Sequence, residues 1–161
     1  MAVDMFLMLD GIKGESAGDK HEGEIDIEAF SWGMSQSGSG HRSTGLGTGK
    51  VDVNDISITK FIDKSSPSIM LACANGKHIP KGKITVRKAG ENPLDYLTVD
   101  IENILISSYQ TSGSEGGSEL PAENISLDFA KVKIEYWTQT EKGAKGENAN
   151  FAWDVSKNVK Y

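Results

Sequence analysis

The chain has 161 residues, a length typical of a single domain, and we predict one domain over residues 1–161. It carries 23 acidic and 17 basic residues, and the resulting net charge of −6 argues against nucleic-acid binding and against docking on anionic membrane. The single cysteine, Cys73, excludes an internal disulfide and a zinc site built from cysteine pairs. Glycine is in excess, with 18 residues against 4 prolines, which indicates many turns or close backbone approaches.

The first apolar segment, Met5–Leu9, predicts a short strand that is buried on both faces. It is far too short for a signal peptide or a membrane span. We therefore expect a chain that is cytoplasmic at first and leaves the cell, if it does, without a cleavable signal. The polar segment Lys13–Gly23 predicts a loop.

Four later segments share one pattern, in which the alternation of apolar residues slips by one position part-way along. A slip of one residue moves the apolar side chains to the opposite face of a strand. A β-bulge, or a strand that leaves one sheet and joins another, produces it, so the pattern favours strongly bent strands. The alternative is a short loop between two separate strands. In each segment one apolar set precedes the slip and a second set, of opposite parity, follows it. The four pairs of sets are Ile25 and Ile27, then Phe30, Trp32 and Met34; Val51 and Val53, then Ile56, Ile58 and Ile62; Leu97, Val99 and Ile101, then Ile104 and Ile106; and Ile125, Leu127 and Phe129, then Val132, Ile134 and Tyr136.

One segment predicts a short helix over residues 68–74. Ser66 stands before Pro67 as the expected N-cap, and Gly76 stands just past the end. The helix centre is apolar nearly all round, so a sheet or a partner must cover it, and Cys73 is expected to be a buried small hydrophobe.

The rest of the chain predicts two more strands and two long loops. Residues 84–87 form a strand, and Phe151 and Trp153 mark a last short strand after a loop around residues 141–150. The glycine- and serine-rich stretches 37–50 and 111–119 have little to bury, and such loops are usually functional or disordered.

No residue pattern points to catalysis, a cofactor or a metal. The stretch Thr44–Val51 lacks the first glycine and the Ser or Thr of a phosphate-binding loop. His21, His41 and His78 are isolated in different loops and are expected to be solvated. Acidic residues are plentiful, so inspection does not exclude a paired general acid and base, although most of these residues are expected on a solvated face.

The segment Phe30–Ser35 carries the most informative alternation. It directs Phe30, Trp32 and Met34 to the core and leaves small groups on the other face. That face is either exposed to solvent or approached closely by another surface. The small residues are Ser31, Gly33 and Ser35.

Taken together, several segments resemble the Hcp family, the haemolysin-coregulated proteins that form the inner tube of the bacterial type VI secretion machine. The match covers most of the chain in the same order and weakens between Gln139 and Asn150. The matching segments are Met1–Phe6, Gly14–Ser16, Ser31–Gly38, Thr59–Ser65, Gly76–His78, Arg87–Gly90 and Glu123–Ile125.

The resemblance implies a mainly β fold, a bent β-barrel of two sheets with one short α-helix on its flank. It implies a homohexameric ring with an open pore, rings that stack into a tube, and no enzymatic activity. The implied partners are contractile sheath proteins, a spike protein of the valine-glycine-repeat type at the tip, and small effector proteins carried in the pore. The subunit would be cytoplasmic before firing and extracellular afterwards.

The resemblance also assigns two sites. Ser31 lies in the matching motif, so Ser31, Gly33 and Ser35 are expected to face the pore and contact effectors. The long glycine-rich loop is expected to reach a neighbouring ring. Its residues are Gly38, Gly40, His41, Arg42, Leu46 and Gly49.

Two other classes of protein remain open from the residues alone. A carbohydrate-binding β-sandwich would display exposed aromatic rings, for which only Trp137 and Trp153 are candidates. A glycosidase-like β-sandwich enzyme would need two convergent carboxylates.

Overall fold

The computed structural model describes residues 3–36, 50–90 and 92–161, which form twelve strands and one helix. In chain order the elements are β1 Val3–Leu9, β2 Ile25–Asp26, β3 Ala29–Ser31, β4 Met34–Ser35, β5 Asp52–Val53, β6 Ile56–Phe61, α1 Ser66–Asn75, β7 Ile79–Lys88, β8 Leu94–Ser112, β9 Ala122–Asp128, β10 Lys131–Gln139, β11 Lys145–Asp154 and β12 Val159–Lys160.

The strands build two antiparallel sheets that share one long strand, β8. The major sheet has the order β12-β11-β10-β8-β7-β1-β2, and the minor sheet has the order β3-β6-β9-β8. A separate two-stranded ladder joins β4 to β5. This arrangement confirms the prediction of a mainly β, bent, barrel-like fold of two sheets with one helix.

The first corner between the sheets lies within β8. Its residues up to Ile104 pair with β7 and β10, and its residues from Leu105 onward pair with β9. Asn103, at the junction, has a left-handed backbone with φ 54°, a conformation that asparagine tolerates better than most residues. The predicted slip between Ile101 and Ile104 is therefore a bend that takes one strand from one sheet into the other.

The second corner lies between β2 and β3. The amide of Ile27 donates to the carbonyl of Met5 in the major sheet, at 3.1 Å, and the amide of Glu28 donates to the carbonyl of Thr59 in the minor sheet, at 2.8 Å. The chain thus changes sheets between two consecutive residues, which explains the slip predicted after Ile27.

The other two slips are also short breaks between separate strands, like the one between β2 and β3, so three of the four follow the alternative interpretation. One separates β5 from β6, and the other separates β9 in the minor sheet from β10 in the major sheet. At the second break the amide of Ala130 donates to the carbonyl of Glu102 at 3.0 Å, so the chain stays attached to β8 as it changes sheets.

The core fills the space between the two sheets and the helix. Each isoleucine or leucine that is fully buried there contributes about 1.5–3 kcal/mol to folding. Among the described residues, the apolar side chains with no more than 1% exposure are Leu7, Ile25, Ile56, Ile58, Ile69, Ile84, Ile101, Ile104, Ile125, Leu127 and Val132.

The helix begins earlier than predicted and uses a different cap residue. Ser65 occupies the N-cap position without a side-chain capping bond, and Gly76 ends the helix with φ 68°. Ser66, the predicted N-cap, is instead the first helical residue, and its hydroxyl is engaged in a buried network described below. Cys73 packs against the core but is only half-buried.

The two faces of α1 differ in their cover. Ile69 and Ala72 are buried, whereas Met70 is 37% exposed and Leu71 is 63% exposed. The sequence predicts an apolar helix that is covered on all sides. Within a single chain, the core covers only the face that carries Ile69 and Ala72. Within the described ranges, no helix reaches the length and apolarity of a membrane span.

The C-terminal part contains more strand than predicted. β11 begins at Lys145, inside the segment expected to be a loop, and pairs with β10 along its length. The turn needs few residues because the amide of Thr140 donates to the carbonyl of Ala144 at 2.8 Å and Gly143 adopts φ 81°. β8 likewise extends to Ser112, into the loop expected from residue 111.

Candidate functional site

The outward face of the minor sheet is the candidate site, and strand alternation builds it. In β6, Ile56, Ile58 and Lys60 are fully buried, whereas the intervening Ser57 and Thr59 point away from the core. In β9 the same alternation buries Glu123, Ile125 and Leu127. Each of these strands therefore presents small polar side chains on its outer side.

The sheet register aligns these side chains into two parallel rows. Directly paired residues lie close enough for their side chains to touch, and four strands span about 14 Å at the usual strand spacing. We name the rows the serine row and the amide row. The serine row is Ser31, Ser57, Ser126 and Ser108. The amide row is Ala29, Thr59, Asn124 and Gln110.

The two rows contain no ionisable side chain, although the chain carries a net charge of −6. Within the amide row, the Thr59 hydroxyl donates to Asn124 Oδ1 at 3.1 Å. At the edge, Ser107 occupies a bulge of β8 and contacts Asp55 Oδ2 at 2.6 Å. The face can donate and accept hydrogen bonds, but it offers a ligand no charged partner at its centre.

The three predicted pore residues are not all on this face. Ser31 is exposed and lies at one end of the serine row. Gly33 follows the end of β3, and its carbonyl accepts the amide of Asn54 at 3.0 Å. Ser35 is exposed on β4, where it pairs with Asp52 in the separate ladder.

The predicted inward set of this segment is correct for two residues and wrong for one. Phe30 and Trp32 pack against the core, whereas Met34 is 47% exposed. The reason is that β3 ends at Ser31 and the chain is irregular at Trp32 and Gly33, so alternation does not continue into β4. The Trp32 indole is held by donation from Nε1 to the Asn54 carbonyl at 3.0 Å.

The residues of the predicted ring-stacking loop lie outside the described residues. They are Gly38, Gly40, His41, Arg42, Leu46 and Gly49.

Beneath the serine and amide rows lies a buried ionic network that sequence reasoning missed. Lys60 and Glu123 are both fully buried, and Lys60 Nζ lies 2.5 Å from Glu123 Oε1. The same ammonium contacts Asp63 Oδ1 at 3.1 Å and Ser66 Oγ at 3.2 Å. It therefore joins β6 and β9 to the start of α1. The available signal was a lysine at an inward position of a strand, between two isoleucines and a helix start.

Glu123 is satisfied from several sides. Its Oε1 also accepts from the Ser66 hydroxyl at 2.8 Å, and its Oε2 accepts from the Tyr109 hydroxyl. Burial, together with this hydrogen bond to Glu123, raises the pKa of Tyr109 to about 12. A buried ion pair is tolerated when its remaining donors and acceptors are paired in this way.

The network does not form an active site, although it contains two carboxylates. Lys60 lies between Asp63 and Glu123, and Glu123 has no exposed surface through which a glycoside could reach it. A glycosidase would need both carboxylates open to the scissile bond.

The structure corrects one histidine prediction. His21 is buried at 7% exposure, with both ring nitrogens bonded to carboxylates, so it is not a solvated loop residue. His78 is exposed, and its Nδ1 lies 2.9 Å from Asn103 Oδ1. His41 lies outside the described residues. Residues 3–36, 50–90 and 92–161 hold no group of three or more side chains placed to bind a metal.

Neither candidate tryptophan presents a free ring for a sugar. The Trp137 ring is covered by Lys145, whose Nζ lies 4.1 Å from the ring centroid. Trp153 packs against the core and stacks on Phe151, with ring planes 5° apart. This packing argues against the carbohydrate-binding alternative.

Solved structures with this architecture include type VI secretion proteins. One, described as a type six secretion system protein, superimposes with a TM-score of 0.92 at 29% identity, over 99% of this chain and 100% of that chain. Hcp1 from Salmonella typhimurium gives a TM-score of 0.84 at 36% identity, with both chains fully covered.

The sequence comparison narrows this class to one family. The model of the family described as type VI secretion system effector, Hcp, matches residues 6–136, and the chain therefore belongs to the Hcp family. A relative, the protein hcp1 of Pseudomonas aeruginosa, is 49% identical over 161 residues, which is 99% of each chain.

Proposed function

We propose that this protein is the subunit of the inner tube of a type VI secretion machine. Hexameric rings of the subunit stack into a tube, a contractile sheath expels the tube, and a spike of the valine-glycine-repeat type caps its tip. The subunit is made and stored in the cytoplasm and reaches the outside when the machine fires. Membership of the Hcp family supports this role.

The pore wall in this proposal is the outward face of the minor sheet. The observation that supports it most directly is the register, which extends Ser31 into a serine row and an adjacent amide row across four strands. Short, neutral side chains leave room in a pore and do not trap charged cargo by electrostatic attraction. Small effector proteins are therefore retained by hydrogen bonds and shape.

Features of the isolated chain are consistent with assembly into rings. β11 pairs with β12 only at Trp153 and Asp154, so much of its outer edge has no strand partner among the described residues. An open strand edge is a ready site for another chain. Large apolar side chains are also exposed. They include Met34, Leu71, Leu120, Tyr136, Val159 and Tyr161.

Analytical ultracentrifugation tests the assembly. The purified protein is expected to sediment as a hexamer, and negative-stain electron microscopy is expected to show rings with a central pore. A monomer at micromolar concentration, seen as isolated globules in the micrographs, would contradict the tube role and reopen the carbohydrate-binding and enzymatic alternatives.

A further inference from the structure

A second cluster, away from the minor sheet and centred on the buried His21, fastens the loop between β1 and β2. We call residues 13–24 the latch loop. The His21 side chain lies at the centre of this cluster, with Nδ1 2.9 Å from Glu24 Oε2 and Nε2 3.0 Å from Asp95 Oδ2. Because Glu24 belongs to the loop and Asp95 to the start of β8, the imidazole ties the loop to the major sheet.

Aromatic and cationic contacts hold the same ring in place. The His21 ring stacks on Phe6 of β1, with centroids 4.3 Å apart and planes 7° apart. The Arg87 guanidinium lies 4.8 Å from the Phe6 ring centroid and donates to the carbonyl of Asp19 at 2.8 Å. Gly18 permits this packing, since a Cβ there would lie 2.9 Å from the Phe6 ring.

The two hydrogen bonds of His21 place a requirement on its protons. An ionised carboxylate only accepts, so the two contacts are both hydrogen bonds only when both ring nitrogens carry a proton, as in the positively charged imidazole. A neutral imidazole donates from one nitrogen and would point the lone pair of the other at a carboxylate oxygen. The closed loop therefore depends on the second ring proton.

A competing partner for Asp95 is already in place. Arg87 and Asp95 are paired across β7 and β8, next to the register shift after Val86. Arg87 Nε and Asp95 Oδ1 are both buried without a hydrogen-bond partner, which is unfavourable for each group. When His21 loses its charge, Asp95 gains by turning toward Arg87. Asp4 also contacts this cluster, with its Oδ2 3.5 Å from Arg87 Nη2, and the charged Asp19, Lys20 and Glu22 flank His21 in the loop.

We propose that His21, Glu24 and Asp95 form a proton-dependent latch that holds the loop closed while His21 is charged and releases it when His21 is neutral. Release has a path to the rest of the fold, because Glu15 of the same loop accepts the amide of Lys64 at 3.0 Å, just before α1. The latch thus couples ambient pH to the turn that contains Asp63 of the buried network.

Hydrogen exchange of backbone amides tests the latch. The amides of Gly14, Ser16 and Gly23 donate to carbonyls at 2.9 Å within the loop and should lose protection when it opens. Protection factors, which remove the intrinsic pH dependence of exchange, are measured on the assembled protein at intervals from about pH 5 to about pH 8. We expect the protection factors of the loop amides to fall with rising pH, by at most about tenfold per pH unit for release of one proton. The protection factors of amides that hydrogen-bond between β6 and β9 should stay constant.

Two substitutions on β8 separate the latch from general effects of charge. Asp95→Asn should flatten the pH dependence, because an amide side chain can accept from a charged ring or donate to a neutral one. Asp100→Asn, on the same strand but outside the cluster, should keep the wild-type profile. If Asp95→Asn lowers protection throughout β6 and β9, Glu24→Gln replaces it and should flatten the profile in the same way. A constant protection factor in the wild type, or a wild-type profile in the substituted latch, would overturn the proposal.

Discussion

Removing the charge of Glu123 should destabilise the subunit strongly, because this carboxylate is the central acceptor of the buried network. Glu123→Gln preserves the shape of the side chain but leaves the fully buried Lys60 with Asp63 as its one negative partner among the described residues. It also disturbs the bonds from Ser66 and Tyr109 to the same carboxylate. Breaking one side of a buried ion pair typically costs about 3–5 kcal/mol, and we expect a loss of unfolding free energy in that range.

A double-mutant cycle shows whether the loss arises from the pair. Lys60→Met alone leaves the buried Glu123 and the partly exposed Asp63 without this cation and should cost a similar amount. The combined substitution should cost clearly less than the sum of the two single losses, since both charges of the buried pair are then removed and Asp63, which keeps its charge, is partly exposed. Lys64→Met serves as the matched control, because Lys64 is exposed and should change stability by less than about 0.5 kcal/mol.

Chemical denaturation with urea, followed by tryptophan fluorescence and circular dichroism on the same samples, measures these changes. The observed transition must be shown to be independent of protein concentration, since assembly would otherwise add to the apparent stability. Single losses below about 1 kcal/mol, of the size usual for exposed pairs, would show that the buried network is not a structural link between α1 and the minor sheet.

Three further predictions concern the proposed pore, the stacking loop and the network. Ser31→Gln and Ser57→Gln should each leave the ring intact but reduce retention of a small effector in a pull-down. Ser114→Gln, in an exposed turn, is the control and should not reduce retention. Equal retention by all three variants would argue against a pore role of the serine row. Deletion of residues 40–49 should leave rings but abolish stacking, and tubes of normal length in electron micrographs would contradict that role. The phenol absorbance should show one tyrosine that ionises near pH 12, and this step should be absent in Tyr109→Phe. Because the pKa of Tyr109 is raised in the folded state, its contribution to stability is present below about pH 10 and is lost as the pH rises toward 12. A Tyr109 that ionises at its ordinary pKa would contradict the contact with Glu123.

The sequence was most informative about local geometry. The one-residue slip after Ile101 marked the place where β8 turns from one sheet to the other, because alternation records which face is buried whatever the partner strand. The slip after Ile27 marked the second corner for the same reason. Alternation failed at Met34, since it holds only while the chain remains a strand and β3 ends at Ser31.

Register and buried polar contacts could not be predicted in the same way. Ser31 meets Ser57 and Ser126 only because β3, β6 and β9 are neighbours in one sheet with a particular alignment, and a single sequence does not state which strands pair. The inward position of Lys60 could be inferred from its isoleucine neighbours, but its acid partner lies 63 positions away. His21 was misassigned because its partner Asp95 lies 74 positions away.

Glycine is in excess partly for reasons internal to the subunit. A Cβ at Gly14 would lie 2.7 Å from the Cα of Ile25, and a Cβ at Gly82 would lie 2.7 Å from Ile104 Cδ1. These glycines allow the latch loop to lie against β2 and allow β7 to pack closely at the bend of β8. The residues therefore serve close packing within the subunit, in addition to any role of the glycine-rich segment 37–49 between rings.

The minor sheet places its charges and its neutral groups in an unusual order. A soluble antiparallel sheet usually turns apolar side chains inward and charged ones toward water. Here Lys60 and Glu123 point inward at 0% exposure, while the outward serine and amide rows carry no charge. Burying the pair carries a desolvation cost of several kcal/mol per ion before the hydrogen bonds offset it, whereas placing lysine and glutamate outside would carry almost none. The arrangement is understandable if the two rows line the proposed pore, because neutral side chains there would hold protein cargo without trapping it by charge.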